Sequence, residues 1–143
     1  MGYVKSFREL LVYREARELS RQIFEVTKRF PKEETYALTD QVRRSSRAIG
    51  AAIAEAWAKR RYEKHFISKL TDADGEQQET QHWIETAVDC GYLSQTEAKA
   101  LLDKTMRIGR LLGGMMAKSH QFCGPNQTLK ETEAHYFTEP TDY

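Results

Sequence analysis

Residues that could do chemistry are sparse in this sequence, and the clearest pair is Glu79-x-x-His82. That spacing puts a carboxylate and an imidazole on one helix face, as in one half of a carboxylate-bridged di-iron site. A complete site needs a second Glu-x-x-His and two further inward Glu, and no other histidine here has a Glu three residues before it. We therefore expect His82 to be a surface or rim residue and Glu79 to be a charge partner, and we expect no metal.

Nucleophilic catalysis and phosphate-loop chemistry find no better support. Ser45, Ser46 and the two cysteines have no His nearby in sequence and no turn motif that would expose them. Gly113-Gly114 lies inside an apolar helical pattern and lacks the Lys-Ser/Thr pair of a P-loop. The two cysteines form neither a disulfide framework nor a zinc motif. We therefore expect a protein that is not an enzyme and that uses no cofactor.

Basic side chains are instead concentrated in one stretch, QVRRSSRAIGAAIAEAWAKRRYEK, at residues 41–64. Residues 41–70 contain eight Lys or Arg and two Glu, although the net charge of the 143-residue chain is only +1. Residues 71–103 reverse the balance, with eight Asp or Glu and one Lys. Such clustering is typical either of a solvated helix face or of a phosphate-binding surface.

The arginines of this stretch divide into two groups. We expect Arg44 to form a structural ion pair with the acidic third segment, and Glu79 is the leading candidate for its partner. Arg43 and Arg47 are four residues apart and share a helix face, so they can begin a basic stripe that ends at the next corner of the chain. The predicted nucleic-acid-binding residues are Arg43, Arg47, Lys59, Arg60, Arg61 and Lys64.

Four amphipathic segments must position these side chains. Apolar residues recur at steps of three and four, the period of an amphipathic helix, over about residues 6–29, 33–60, 62–89 and 95–120. Proline costs about 3 kcal/mol inside a helix, and none occurs between Pro31 and Pro125. No apolar run approaches the roughly 20 residues that span a bilayer, so we expect a cytoplasmic protein without a membrane partner.

The connections between these segments predict the topology. Gly91 is a typical helix end, and Ser94 with Glu97 forms a capping box that opens the fourth helix. Short connections place sequence neighbours side by side, which predicts an all-α, antiparallel up-down-up-down four-helix bundle over residues 1–120. Residues 121–143 lose the helical period, so we predict an irregular C-terminal tail.

Two packing expectations follow from the composition. Gly50 is unfavourable in a helix interior, so we expect it to mark a close approach of another helix. The chain has more apolar side chains than the core of one bundle needs, so we expect some of them to line a homo-oligomer interface. Those positions are Leu10, Leu11, Val12, Tyr13, Trp57, Trp83 and residues 111–116.

The stretch FPKEETYALTDQVRRSSRAIGAAIAEA resembles the signature of a four-helix-bundle family whose founding members are encoded in intervening sequences of bacterial 23S rRNA genes. The similarity covers about residues 7–120. The chain departs from the family pattern at Ala52, Ala56 and Glu76, where the family has Asn, Gly and Ser. The matching residues are Phe30, Pro31, Glu33, Glu34, Leu38, Thr39, Gln41, Val42, Arg43, Arg44, Ile49, Ile53, Ala54 and Glu55.

The resemblance implies a ring-shaped homo-oligomer, commonly a pentamer. It also implies a fold related to accessory proteins of diversity-generating retroelements, which bind nucleic acid and a reverse transcriptase, and it implies no enzymatic activity. Together with the basic stripe, this favours a nucleic-acid-associated accessory protein that binds RNA or DNA. The alternative is a scaffold or protein-interaction module, in which the positive second helix pairs with the negative third helix of another subunit.

Overall fold

The computed structural model describes residues 3–124, 129–132 and 136. These residues form four long helices and no strand. Each helix packs against the next, and the fourth also packs against the first, so the all-α four-helix bundle is confirmed. The helices are α1 (Leu11–Thr27), α2 (Asp40–Ala58), α3 (Glu63–Asp89) and α4 (Gln95–Ala117).

Two helices begin later than predicted because short turns precede them. Phe7–Glu9 forms a 3-10 turn, and extended backbone at Leu10 separates this turn from α1. The predicted start of α2 near residue 33 falls in another 3-10 turn, Lys32–Glu34, which is followed by a π-helical turn at Thr35–Thr39. The wider π turn delays regular α-helical bonding until Asp40.

The predicted signals between α3 and α4 are confirmed. Gly91 has a φ of 79°, the left-handed conformation that suits glycine just after a helix. The Ser94 hydroxyl accepts a hydrogen bond from the Glu97 amide at 3.1 Å, and the Glu97 carboxylate accepts one from the Ser94 amide at 2.9 Å. This reciprocal capping fixes the start of α4.

The core lies along the predicted apolar stripes and includes several polar side chains of α2 and α3. Ile49, Ile53, Phe66 and Leu70 are fully buried. The buried hydroxyls of Ser45 and Thr80 lie 2.8 Å apart and form a hydrogen bond. Buried polar groups need internal hydrogen-bond partners, and these two hydroxyls are partners of each other.

The described part of the C-terminal segment is irregular, yet it packs on the bundle. Phe122 and Tyr136 are fully buried, and the Leu129 carbonyl accepts a hydrogen bond from the Val4 amide at 2.7 Å. The Glu131 carboxylate accepts a bifurcated hydrogen bond from the Leu11 amide, with its two oxygens at 2.9 and 3.0 Å, and so caps α1. Pro125 and Pro140, the two prolines of the predicted tail, lie outside the described residues.

The expected close approach at Gly50 is wrong, and it occurs at Gly114 instead. A Cβ added at Gly50 would lie 3.5 Å from the Tyr13 ring, an ordinary van der Waals distance. A Cβ added at Gly114 would lie 1.3 Å from the Tyr136 carbonyl oxygen. Gly114 therefore lets the backbone of the C-terminal segment lie directly against α4.

Most of the apolar positions predicted for a subunit interface are covered by the chain itself. Leu10, Val12 and Trp57 are buried, as are the larger side chains of residues 111–115. Among the described residues, the large apolar side chains that remain exposed are Tyr3, Phe24, Tyr36, Tyr62 and Met106. Among the described helices, none has both the length and the apolar character needed to cross a membrane.

Candidate nucleic-acid interface

Arg44 pairs with two carboxylates of α3. Its guanidinium forms ion pairs with Glu79 and, at 3.3 Å, with Glu76. The Trp83 indole N–H also donates to Glu79 at 3.1 Å, and this bond together with Arg44 holds the pKa of Glu79 below its usual value. The Arg44 side chain is 50% exposed, so these pairs form a surface network of modest strength.

Arg43 belongs to the contact between α1 and α2. Its Nε donates to the Thr27 hydroxyl at 2.8 Å, and its guanidinium lies 4.7 Å from the centre of the Phe24 ring. These contacts hold Arg43 against the last turns of α1. Arg43 is therefore a packing residue at the edge of the predicted basic stripe, and Arg47 is its exposed neighbour.

The corner between α2 and α3 contains three exposed cations, Lys59, Arg61 and Lys64. None of the three forms an ion pair with a carboxylate in the described part of the chain. Arg60, the fourth cation predicted at this corner, is only partly exposed. Its guanidinium stacks 3.9 Å from the Trp57 ring centre and donates to the Trp57 carbonyl at 2.9 Å.

A groove of about 610 Å³ between α1 and α2 brings together cations that the sequence interpretation missed. Arg17 and Arg21 line it from α1, and Arg47 lines it from α2. All three are exposed, and none forms an ion pair with a described carboxylate. The floor consists of small residues, and Tyr13 and Phe24 add aromatic surface. The small floor residues are Ala16, Ser20, Ser46, Gly50 and Ala51.

The local sequence explains how α1 presents this surface. Arg14, Arg17, Arg21, Phe24 and Lys28 follow one another at steps of three and four. They form a basic and aromatic stripe beside the buried stripe of the same helix. The spacing that drew attention to Arg43 and Arg47 on α2 was thus also present on α1, and it is the signal that could have found these residues.

Cations surround the exposed Phe24 ring at this groove. Lys28 lies 4.9 Å from its centre and Arg47 lies 5.8 Å from it, in addition to Arg43. Cation–π attraction holds these side chains near the ring without neutralising their charge. The one carboxylate that lines the groove, Glu25, is paired with Lys28 at 3.2 Å. The groove therefore has a net positive charge, and its exposed aromatic ring lies among these cations.

The groove between α3 and α4 has the opposite character. Glu85, Asp89 and Asp103 line it, and its one lysine, Lys99, is paired with Asp103 at 2.8 Å. Met106 adds exposed apolar surface there. Since α1 contacts α2 and α4, while α3 contacts α2 and α4, the basic and acidic grooves lie on opposite sides of the bundle.

The other candidate chemical groups have structural contacts. Glu79 is held by Arg44 and Trp83, and His82 is exposed and packs edge-on against the Trp83 ring at 4.7 Å. Burial raises the pKa of Cys123 to about 11, which disfavours its reactive thiolate form. In the described parts of the chain, no three His, Cys, Asp or Glu side chains are grouped to hold a metal ion.

A family model described as 23S rRNA-intervening sequence protein matches residues 8–114, which include all four helices except the last residues of α4. The chain belongs to the 23S rRNA-intervening sequence protein family. A similar solved structure is a protein of unknown function of the S23 ribosomal protein family from Bacteroides thetaiotaomicron. It is 25% identical, the match covers 74% of this chain and 98% of that chain, and the TM-score is 0.67. No curated protein matches the sequence.

The departures of this chain from the usual 23S rRNA-intervening sequence protein pattern have structural counterparts. Ala52 and Ala56 are buried in the bundle. Glu76, where the family resemblance leads us to expect Ser, supplies the second carboxylate to Arg44. In this member of the family, Glu76 therefore strengthens the α2–α3 contact through its ion pair with Arg44.

Proposed function

We propose that this 23S rRNA-intervening sequence protein is a non-enzymatic accessory protein that binds the phosphates of RNA or DNA. The observation that supports the proposal most is the groove that contains Arg17, Arg21 and Arg47. A guanidinium without a carboxylate partner offers its N–H donors to phosphate oxygens in a bidentate geometry. Three such groups in one groove make a phosphate-binding surface.

The α2–α3 corner provides a second set of phosphate contacts in this proposal. Lys59, Arg61 and Lys64 are exposed there. Lys59 follows Arg47 by twelve residues, which is roughly 18 Å along a helix. One extended nucleic-acid chain can therefore reach both the groove and the corner.

The proposal includes assembly into a homo-oligomer, and the family resemblance favours a pentameric ring. A ring repeats the groove and the corner once per subunit. Weak phosphate contacts at each copy then act together, because linked sites bind at a high effective concentration. Assembly therefore compensates for the small number of cations on one subunit.

A scaffold without nucleic-acid binding is the alternative, and the acidic α3–α4 groove favours it. Opposite charges on opposite sides of one subunit suit head-to-tail packing, in which the acidic groove of one copy faces the basic groove of the next. In that case the neighbour, and not a phosphate chain, occupies Arg17, Arg21 and Arg47. A scaffold would show no affinity for RNA or DNA near physiological salt.

The test is a binding titration by fluorescence anisotropy with structured RNA and duplex DNA at several salt concentrations. We compare the parent with two charge-neutralising triple variants, Arg17/Arg21/Arg47→Gln at the groove and Lys59/Arg61/Lys64→Gln at the corner. A matched control, Lys32/Lys99/Arg110→Gln, removes the same charge at exposed positions elsewhere.

The expected result is that the groove and corner variants bind more weakly than the control. Each phosphate contact that is lost should flatten the slope of log affinity against log salt by about 0.7 to 0.9. Light scattering on the same samples reports the oligomer. A parent that binds neither nucleic acid overturns the proposal and favours the scaffold. If all three variants lose the same affinity, net charge alone accounts for the binding, and the groove and corner are not its sites.

A further inference from the structure

We propose that the α1–α2 groove selects single-stranded over duplex nucleic acid, because it accepts an unpaired base against Phe24 while its arginines bind the adjoining phosphates. This inference rests on the proposed function and specifies the form of the ligand. It is carried by the shape of the groove, by the position of the aromatic ring and by the arrangement of the guanidinium groups.

The shape of the groove suits one strand. Packed helices have axes about 8–10 Å apart, so the furrow between α1 and α2 is narrow. The major groove of a duplex is by itself about 12 Å wide, and an intact duplex cannot enter such a furrow. The volume of about 610 Å³ falls in the range of roughly 300–1,000 Å³ that is typical of pockets for small organic groups.

The exposed ring suits a base. Phe24 is 37% exposed, whereas most large apolar side chains in the described part of the chain are buried. An unpaired base can stack on an aromatic ring, but a paired base within a duplex presents only its edge in the grooves. Stacking on one ring changes affinity for a single strand by roughly 5- to 150-fold per base.

The cations are placed to bind a backbone that runs along the furrow. Arg17 and Arg21 are four residues apart on α1, roughly 6 Å along the helix axis. Arg47 faces them from α2 and also approaches the Phe24 ring, at 5.8 Å. Phosphates can therefore be bound from both walls, and a base that stacks on Phe24 displaces one of the cations that lie over its ring. The small residues of the floor leave room for the base.

The decisive comparison uses the full chain, a labelled single-stranded oligopyrimidine of about 12 nucleotides, and the duplex formed by the same strand with its complement. Anisotropy is measured at one moderate salt concentration and then across a salt series. The variants are Phe24→Ala, Phe24→Trp and Arg47→Gln. Tyr36→Ala is the matched control, because Tyr36 is an exposed aromatic residue outside the groove.

We expect the parent to prefer the single strand at least tenfold. Phe24→Ala should lower single-strand affinity about tenfold or more while leaving the salt slope unchanged, since a phenyl ring binds no phosphate. Phe24→Trp should keep the affinity of the parent, because an indole ring also stacks on a base. Tyr36→Ala should bind like the parent. Arg47→Gln should instead flatten the salt slope by about 0.7. Thermal melting verifies that each variant is folded.

The possible failures are distinguishable. Equal binding of single strand and duplex, or no effect of Phe24→Ala, would overturn the single-strand inference and leave the proposed function standing. A mononucleotide that binds as tightly as the oligonucleotide would overturn it as well, because the groove would then be a mononucleotide pocket. Absence of binding to every nucleic acid would overturn both the inference and the proposed function.

Discussion

Replacing Gly114 with alanine produces two effects of opposite sign on stability. Alanine is favoured over glycine in a helix interior by roughly 0.5–1 kcal/mol. However, the new Cβ would lie 1.3 Å from the carbonyl oxygen of Tyr136 and 2.1 Å from its carbonyl carbon. Because the obstacle is backbone and not the end of a flexible side chain, the segment that contains Tyr136 must move away from α4.

The size of the net effect follows from what that movement exposes. Tyr136 is fully buried, and exposing one large apolar side chain costs roughly 1.5–3 kcal/mol. Part of this cost is offset, because the released segment regains conformational entropy. The cost also cannot exceed the free energy that holds the segment on the bundle. We therefore expect Gly114→Ala to lower the free energy of unfolding of the full chain by about 1–2 kcal/mol.

Urea denaturation of the full chain and of a chain ending at Gly124 separates the two effects. In the shortened chain the obstacle is absent, so Gly114→Ala should stabilise it by roughly 0.5–1 kcal/mol. Gly75→Ala is the control, because Gly75 is a helical glycine with no heavy atom within 4 Å of an added Cβ. Gly75→Ala should raise the free energy of unfolding of both the full and the shortened chain. If Gly114→Ala stabilises the full chain as Gly75→Ala does, the packing of the segment on α4 is refuted.

Two further predictions concern ion pairs. Arg44→Ala should lower the free energy of unfolding by only about 1 kcal/mol, because the side chain is 50% exposed; a loss several times larger in urea denaturation would contradict the surface network. The Arg29 side chain and the Ser94 amide lower the pKa of Glu97 from 4.5 to about 2. A lowered carboxyl pKa gives stability that is present above pH 4.5 and is lost as pH falls toward about 2. Glu97→Gln should therefore weaken the pH dependence of the melting temperature between these pH values. If the pH dependence of the variant equals that of the parent, the linkage is excluded.

The helices and their caps could be predicted from the sequence because their signals are local. Steps of three and four marked the buried faces of all four helices, and the capping box needed only Ser94 and Glu97. The site was harder, because a groove depends on which two helix faces meet. The arginines of α1 had the same spacing as those of α2, but their meeting with Arg47 depends on how α1 and α2 pack. The contact of Arg60 with Trp57 could have been predicted from the local sequence, since Trp57 lies three residues before it and side chains at that spacing are neighbours on a helix.

The packing of the C-terminal segment could not be predicted from local patterns. In the sequence, Gly114 belongs to the Gly113-Gly114 pair and to the apolar stretch 111–116, and neither pattern indicates that the backbone of Tyr136 lies beside it. Likewise, the acidic Glu131 reads as a surface residue in sequence, yet it caps α1 across 120 residues of chain. Contacts over such sequence separations leave no periodic signal.

The near-neutral net charge of the chain does not argue against phosphate binding once the ion pairs are placed. Several carboxylates of α2 and α3 are paired with cations of the same two helices, since Arg44 pairs with Glu76 and Glu79, and Lys69 pairs with Glu55 and Asp72. Arg17, Arg21 and Arg47 of the α1–α2 groove form no ion pair with a described carboxylate. Charges are screened over about 8–10 Å at physiological salt, whereas two helix diameters amount to roughly 20 Å. A phosphate in the α1–α2 groove therefore experiences its arginines strongly and the acidic α3–α4 groove only weakly.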